Sequence, residues 1–153
     1  MTFEELKPKV NDIITNTYTL RDEKLQKICH LLHDNIDYYD WVGFYFRNGT
    51  KEELVIGPYI GEYTEHTVIP FGKGICGQVA VSNQNFVVSD VSAQDNYISC
   101  NINVKSEIVV PLFVNGENIG QIDIDSDLID AFSEADERFL EYVNQEVAKL
   151  FEK

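Results

Sequence analysis

The feature of the sequence that most restricts the fold is a hairpin turn near its carboxyl end. Asn115-Gly116 separates two apolar, β-branched stretches, 107–114 and 119–124. An Asn-Gly pair between such stretches is the strongest short-range sign of an antiparallel hairpin. The numbers of facing residues then sum to about 231, so we expect Glu107 to lie opposite residue 124 or close to it.

The periodicity of the rest of the chain predicts an α+β fold. Helical and alternating apolar spacings, with their turn residues, mark the remaining elements. The predicted elements are helices at 4–16, 22–36 and 75–82, strands at 41–46, 53–56, 68–69 and 86–88, and a last helix that starts at Ser133. Gly57-Pro58 is expected to end the strand at 53–56. We therefore expect one domain, 1–153, with an antiparallel sheet of about six strands and helices mainly on one face.

Charge and cysteine content restrict the partners and the compartment. The formal net charge of −14 opposes binding to nucleic acid or to an anionic membrane surface. The first ten residues lack the pattern of a signal peptide, and no apolar run approaches the length of a membrane span. Three cysteines, an odd number, fit reduced thiols rather than a disulfide framework. We expect a cytoplasmic protein with no nucleic-acid or membrane partner.

Two of the cysteines are candidates for thiol chemistry. Cys76 is predicted at the start of a short helix, where the helix dipole and nearby Lys73 would lower the pKa of its thiol. Cys100 stands in a polar loop of about sixteen residues, 90–105, and loops of this length are often functional. The alternative is that both are small buried apolar residues. Cys29 lies on the apolar stripe of a helix and is expected to be structural.

Acidic residues of the hairpin form a second candidate group. Asp123 and Asp125 are two apart on a strand, so they share a face, and the predicted register brings Glu107 beside them. One interpretation is a solvated acidic strand face. The other is a site for a cation, either a metal or the ammonium group of an amino acid, because converging carboxylates repel one another. No histidine stands at metal-ligand spacing from a cysteine, so we predict neither a metal nor a cofactor.

Trp41 and Tyr45 are the aromatic candidates. They are four residues apart on the first predicted strand, so their side chains lie on the same face. One interpretation is that both rings belong to the hydrophobic core. The other is that they form an aromatic wall for a small apolar or cationic group of a ligand.

Seven segments spread over nearly the whole chain carry a family resemblance. They are 41–45 (WVGFY), 57–59 (GPY), 69–77 (IPFGKGICG), 89–91 (SDV), 97–100 (YISC), 106–112 (SEIVVPL) and 123–126 (DIDS). In this order, and with Cys76 and Cys100 24 positions apart, they resemble the free methionine-(R)-sulfoxide reductases. Members of that family are stand-alone GAF domains, so the resemblance implies a single GAF domain.

The resemblance implies an activity and roles for the candidate residues. The activity is thiol-dependent reduction of free methionine-(R)-sulfoxide through a cysteine sulfenic acid and a disulfide, which a thioredoxin-like protein reduces. Cys100 matches the cysteine usually assigned as the nucleophile, although the one matching Cys76 has also been proposed. The residues that would line the substrate pocket are Trp41, Tyr45, Glu107, Asp123 and Asp125. A homodimer is a further expectation.

The chain departs from the family pattern at two positions. His66 stands where a third cysteine is common, and Tyr97 stands where a histidine is common. Either Cys76 resolves Cys100 directly, or recycling is lost and a slow enzyme or a ligand sensor remains. The alternative function is therefore a non-catalytic GAF module that binds a small molecule for signalling. A metal-binding protein that uses the carboxylates is a third hypothesis.

Overall fold

The computed structural model describes residues 1–94 and 103–152. Its helices are α1 (Phe3–Thr15), α2 (Arg21–Asn35), α3 (Gly74–Ser82) and α4 (Glu134–Ala148). Its strands are β1 (Trp41–Arg47), β2 (Glu53–Ile60), β3 (Val68–Pro70), β4 (Phe86–Val88), β5 (Ser106–Val114) and β6 (Glu117–Ser126). One turn of 3₁₀ helix follows β4 at Val91–Ala93. The predicted elements are present, with most bounds within two residues of those expected.

The six strands form one antiparallel sheet in the order β3-β2-β1-β6-β5-β4. The β5–β6 hairpin turns at Asn115 and Gly116, whose φ angles are +52° and +82°. Two consecutive positive φ angles are what a tight hairpin turn of this kind requires, and Asn and Gly adopt them most easily. The predicted hairpin and the α+β fold are both confirmed.

The two faces of the sheet are covered differently. Helices α1, α2 and α4 build the larger apolar core on one face, together with inward side chains such as Ile108, Ile122 and Ile124. Among the described residues, helix α3, together with Val91 and Val104, covers a smaller core on the other face. Three of the four helices therefore lie on one face, as predicted. The candidate residues of the hairpin lie on the face that α3 covers.

The prediction that Gly57-Pro58 ends β2 is wrong. The strand continues to Ile60, and its pairing with β1 shifts register between Gly43 and Tyr45. A proline has no N–H group to donate, so a strand tolerates it where a bulge interrupts the ladder. The extension matters for the site, because it carries Tyr59 to a position opposite Gly43.

The hairpin register differs from the expected one by a single residue. Glu107 faces Asp125, whereas the turn alone places residue 124 there. An irregularity between Leu112 and Phe113 adds the extra residue. The shift brings the side chains of Glu107 and Asp125 directly beside each other, because facing residues of an antiparallel pair point to the same side of the sheet.

Candidate active site

Three neighbouring strands bring the candidate residues to one face of the sheet. Asp125 on β6 lies between Trp41 on β1 and Glu107 on β5. Two residues earlier on β6, Asp123 lies opposite Gly43 and Val109. The period of two along each strand keeps these side chains on the α3 side. Sequence reasoning had placed both aspartates and Glu107 together, and the structure does so.

All three carboxyl groups are buried. Glu107 is 5% exposed, and Asp123 and Asp125 are each 2% exposed, so the interpretation as a solvated strand face is wrong. Burial raises the pKa of Asp123, while hydrogen bonds with Glu107 and Cys76 partly offset that effect. Burial and then the Asp123 charge raise the pKa of Asp125 well above its ordinary value. A hydrogen bond between two carboxyl groups needs a proton, so this cluster retains one.

Two oxygens of the cluster accept no hydrogen bond from the described residues. They are Oδ1 of Asp123 and Oδ1 of Asp125, and both are buried. An unpaired buried carboxylate oxygen is costly, so such an atom usually serves a ligand, a water molecule or an ion. These two atoms therefore mark a position for a hydrogen-bond donor that residues 1–94 and 103–152 do not supply.

Cys76 lies beside this cluster, at the start of α3. Its thiol is 5% exposed and donates to Oδ2 of Asp123 over 3.3 Å. Burial raises the pKa of the Cys76 thiol well above its ordinary value, and the Asp123 and Glu107 carboxylates raise it further. The expectation that the helix dipole and Lys73 lower this pKa is therefore wrong. Desolvation and adjacent negative charge outweigh the dipole of a nine-residue helix.

Trp41 and Tyr45 both belong to the smaller apolar core, as one of the two interpretations predicted, and their rings form an aromatic wall next to Asp125. The Trp41 ring stacks on Tyr59 at 5.1 Å and lies 6.4 Å from the Tyr45 ring. A side chain at Gly43 would collide with the Trp41 ring, so this glycine permits the stacking. Trp41 Nε1 donates to the Glu62 carbonyl oxygen over 3.1 Å, which fixes the ring plane.

Two small cavities open beside these groups. One of about 10 Å³ is lined by Tyr45, His66, Cys76, Glu107 and Asp123, among other residues. The second, of about 170 Å³, is lined by the side chains and backbone of Asp40, Trp41, Glu62, Asn103, Val104, Asp125 and Asp127. The second cavity is large enough for part of an amino acid. The first has about the volume of one water molecule.

Sequence reasoning missed several residues of this face. Gln121 is fully buried two residues before Asp123, and its Nε2 donates to the Cys76 carbonyl oxygen over 3.1 Å. The alternation along β6 would have identified it. Asp40, Glu62 and Asp127 surround the larger cavity without any sequence pattern that relates them. Cys100 and Tyr97 lie outside the described residues.

Cys76, Glu107 and Asp123 also have the composition of a metal site. One donor atom from each lies within 4.8 Å of the other two, and all three residues are buried. Within residues 1–94 and 103–152, no other group of three or more Cys, His, Asp or Glu side chains has its donor atoms close enough together to hold an ion. Of the helices formed by the described residues, none has the length and apolar character that a membrane span requires.

Comparison with known proteins places this chain in a family. Residues 21–150 match the GAF domain family. GAF domain-containing protein A of Dictyostelium discoideum is 34% identical over 138 residues, which are 90% of this chain and 85% of that protein.

Two further relatives are more informative. The free methionine-R-sulfoxide reductase of Escherichia coli is 35% identical over 120 residues, covering 78% of this chain and 71% of that protein. The structure of free methionine-R-sulfoxide reductase from Neisseria meningitidis in complex with its substrate is 34% identical, with a TM-score of 0.91 over 97% of this chain and 87% of that one. The chain therefore belongs to the GAF domain family and, within it, to the free methionine-R-sulfoxide reductases.

Proposed function

We propose that this chain reduces free methionine-(R)-sulfoxide to methionine with its own thiols. One observation carries the proposal: a buried cluster of three carboxyl groups lies between a thiol and an aromatic wall, and two of its oxygens lack a donor among the described residues. The family membership supports the same activity, since the yeast and Escherichia coli proteins of this name are 39% and 35% identical to the chain.

The carboxylates are proposed to hold the substrate ammonium group. An ammonium group offers three donors, and the buried Oδ1 atoms of Asp123 and Asp125 are acceptors without a described partner. Charge-assisted hydrogen bonds of this kind are about twice as strong as neutral ones. Peptide-bound methionine sulfoxide lacks that ammonium group. This difference supports selectivity for the free amino acid.

The aromatic wall is proposed to take the methyl-sulfur end of the substrate. Trp41 and Tyr45 are both buried, at 4% and 1% exposure. Their stacked arrangement leaves a rigid apolar surface beside Asp125. A polar ammonium end held by the acids and an apolar end held by the rings would fix the orientation of the sulfoxide between them.

The same acids are proposed to protonate the sulfoxide oxygen. Burial raises the pKa values of Asp123 and Asp125, and this shift favours the protonated carboxyl group that a general acid requires. A thiolate attacks the sulfoxide sulfur and forms an S–S bond; the S–O bond to methionine then breaks, the oxygen bonds to the cysteine sulfur, and the S–S bond breaks as methionine leaves. The oxygen remains on the enzyme as a sulfenic acid, so the cysteine sulfur loses the two electrons that the sulfoxide sulfur gains.

Cys100 is proposed as the attacking thiol and Cys76 as the resolving one. The raised pKa of Cys76 keeps its thiol protonated, and a protonated thiol is a poor nucleophile. Oδ2 of Asp123, which accepts the Cys76 hydrogen bond, is placed to take the proton when Cys76 attacks the sulfenic acid. A disulfide then forms and water leaves. A thioredoxin-like dithiol protein would return both thiols to the reduced state.

The test is a reaction with both epimers of free methionine sulfoxide and dithiothreitol, followed by chiral chromatography. We expect loss of the R epimer only, and little loss of the N-acetylated R epimer. Equal reduction of the acetylated substrate would overturn the role given to the carboxylates. Loss of neither epimer would favour a non-catalytic GAF module that binds a small molecule.

A further inference from the structure

We propose that Cys76, Glu107 and Asp123 also form a zinc-binding site, and that Zn²⁺ bound there excludes the substrate. Zinc binding itself depends only on the described residues of this site. The exclusion of substrate rests on the proposed function, because it requires methionine to use the same carboxylates. The two parts are therefore tested separately.

The donor atoms already have nearly the spacing that zinc needs. One atom from each of the three residues lies within 4.8 Å of the others. Zinc bonds of about 2.3 Å to sulfur and 2.0–2.2 Å to oxygen in a tetrahedron place ligand atoms about 3.4–3.6 Å apart. The Cys76 sulfur and Oδ2 of Asp123 are 3.3 Å apart, so small rotations of the remaining side chain would complete three ligands.

A second observation at this place points to a ligand. Oδ1 of Asp123 is buried and accepts no hydrogen bond from the described residues. Asp123 is 2% exposed and lines the cavity of about 10 Å³ that Cys76 and Glu107 also line. That volume suits one water molecule or one small ion. The cluster thus combines an unpartnered carboxylate oxygen with a space of suitable size.

The set of donors favours zinc over other common divalent ions. Calcium takes six to eight oxygen ligands, and magnesium demands an octahedron of oxygens with several waters. A thiolate with two carboxylates matches neither, whereas zinc accepts sulfur and oxygen in four-coordinate sites. A water molecule would fill the fourth position.

Zinc binding at this place involves no change of oxidation state. The S–H bond of Cys76 breaks and a Zn–S bond forms, and both this proton and the one held between the carboxyl groups pass to the buffer. The two positive charges of the ion then face the buried acids in place of a substrate ammonium group. Cys76 would also be unable to resolve a sulfenic acid while its sulfur is bound to the ion.

The binding test uses Zn²⁺ alone and the reduced, chelator-treated full chain in isothermal titration calorimetry. We expect one ion per chain. Cys76→Ser and Asp123→Asn should each weaken binding beyond the 10–100-fold that loss of a supporting residue causes. Cys29→Ser is the matched control, because Cys29 is also a buried helical thiol but its sulfur lies 3.6 Å from the Pro58 carbonyl oxygen, in the other core. It should bind zinc as the wild type does.

Cobalt provides an optical signal for the sulfur ligand. Co²⁺ added to the wild type or to Cys29→Ser should give a thiolate-to-metal charge-transfer band, and Cys76→Ser should not give it. This measurement also separates a lost ligand from a misfolded variant, provided that circular dichroism shows the variant folded. Binding or a band that persists in Cys76→Ser overturns the assignment, and so does the absence of saturable binding to the wild type.

Competition tests the exclusion of substrate. Free methionine at about ten times its own Kd should weaken zinc binding about tenfold if the two ligands exclude each other. Unchanged zinc affinity would overturn that part. Reductase activity without zinc binding defeats the present inference alone, whereas zinc binding in a chain that reduces neither epimer defeats only the proposed function.

Discussion

Strand β6 buries both of its faces equally but with opposite chemistry. Ile122 and Ile124 are 0% exposed in the larger core, and Asp123 and Asp125 are 2% exposed on the α3 side. Burial alone therefore does not separate the structural face from the candidate site. The two faces differ in whether their buried groups have suitable partners. The isoleucines pack against apolar side chains, whereas each aspartate keeps an oxygen that accepts no hydrogen bond from the described residues.

A buried carboxylate elsewhere in the chain shows the satisfied case. Asp136, also 2% exposed, accepts hydrogen bonds from the hydroxyl groups of Tyr38 and Tyr39 over 2.8 and 2.7 Å. It also accepts from the backbone N–H and the hydroxyl of Ser133, which completes a capping pair at the start of α4. Asp136 is thus fully hydrogen-bonded within the fold, whereas Asp123 and Asp125 each keep one oxygen that accepts no hydrogen bond from the described residues.

The largest expected difference between the two faces is the effect of replacing the buried cysteine on each of them. Cys76→Ser should release about one methionine per chain and then fail to cycle with thioredoxin, because no resolving thiol remains. Cys29→Ser should cycle normally, since Cys29 belongs to the apolar core. Methionine release per chain, with and without reductant, is the measurement. A Cys76→Ser variant that cycles normally would refute this recycling route.

The attacking thiol is tested in the same assay. Cys100→Ser should release no methionine, and wild-type enzyme after one turnover without reductant should contain a Cys76–Cys100 disulfide. Mass spectrometry of proteolytic fragments identifies the bridge. A bridge that contains Cys29 would contradict the division of roles between the two faces.

Removing charge from the α3-side acids should have the next largest effect. Asp125→Asn and Glu107→Gln keep shape but remove an ionisable group, and each should lower turnover by several factors of ten, at about 1.4 kcal/mol per factor. Ile124→Val, on the opposite face between the two aspartates, should leave turnover within a few-fold. The measurement is the steady-state rate of each variant on the R epimer, relative to wild type. If both acid variants matched wild type, the acids would have no role in the reaction.

The sequence predicted the acid cluster because two local rules fix it. The Asn115-Gly116 turn sets the register of the hairpin, and the period of two sets the face. The register was wrong by one residue because the irregularity at Leu112 and Phe113 leaves no recognisable pattern. The pKa direction of Cys76 was wrong for a related reason: a helix start is visible in the sequence, but burial and the carboxylates come from distant strands.

Loss of the Asp136 carboxylate should lower the stability of the fold, whereas loss of the Asp125 carboxylate should mainly lower turnover. Asp136→Asn replaces an acceptor oxygen by an amide that faces hydroxyl or N–H donors, so it should lower the free energy of unfolding by about 1–3 kcal/mol. Asp125→Asn should lower it less, because Oδ1 of Asp125 accepts no hydrogen bond from the described residues and an amide can keep the hydrogen bond with Glu107. Urea unfolding of both variants at pH 7 gives the comparison. A similar loss in both would mean that Asp125 is as fully satisfied as Asp136.

The smallest expected effect is a dependence of stability on pH. The pKa of Asp125 is raised in the folded chain, first by burial and then by the Asp123 charge, while its unfolded value is about 3.9. The folded state therefore holds this proton more tightly, and the resulting stabilisation is complete below about pH 4 and is lost as the pH rises through the folded-state pKa. The amide introduced by Asp125→Asn carries no such proton, so the stability of this variant relative to wild type should increase from pH 5 to pH 8.

A gain of 1 kcal/mol would raise Tm by about 2–4 °C in a chain of this size. The measurement is thermal unfolding at both pH values with EDTA present, and a difference that stays constant between them would show that Asp125 does not keep its proton in the folded chain.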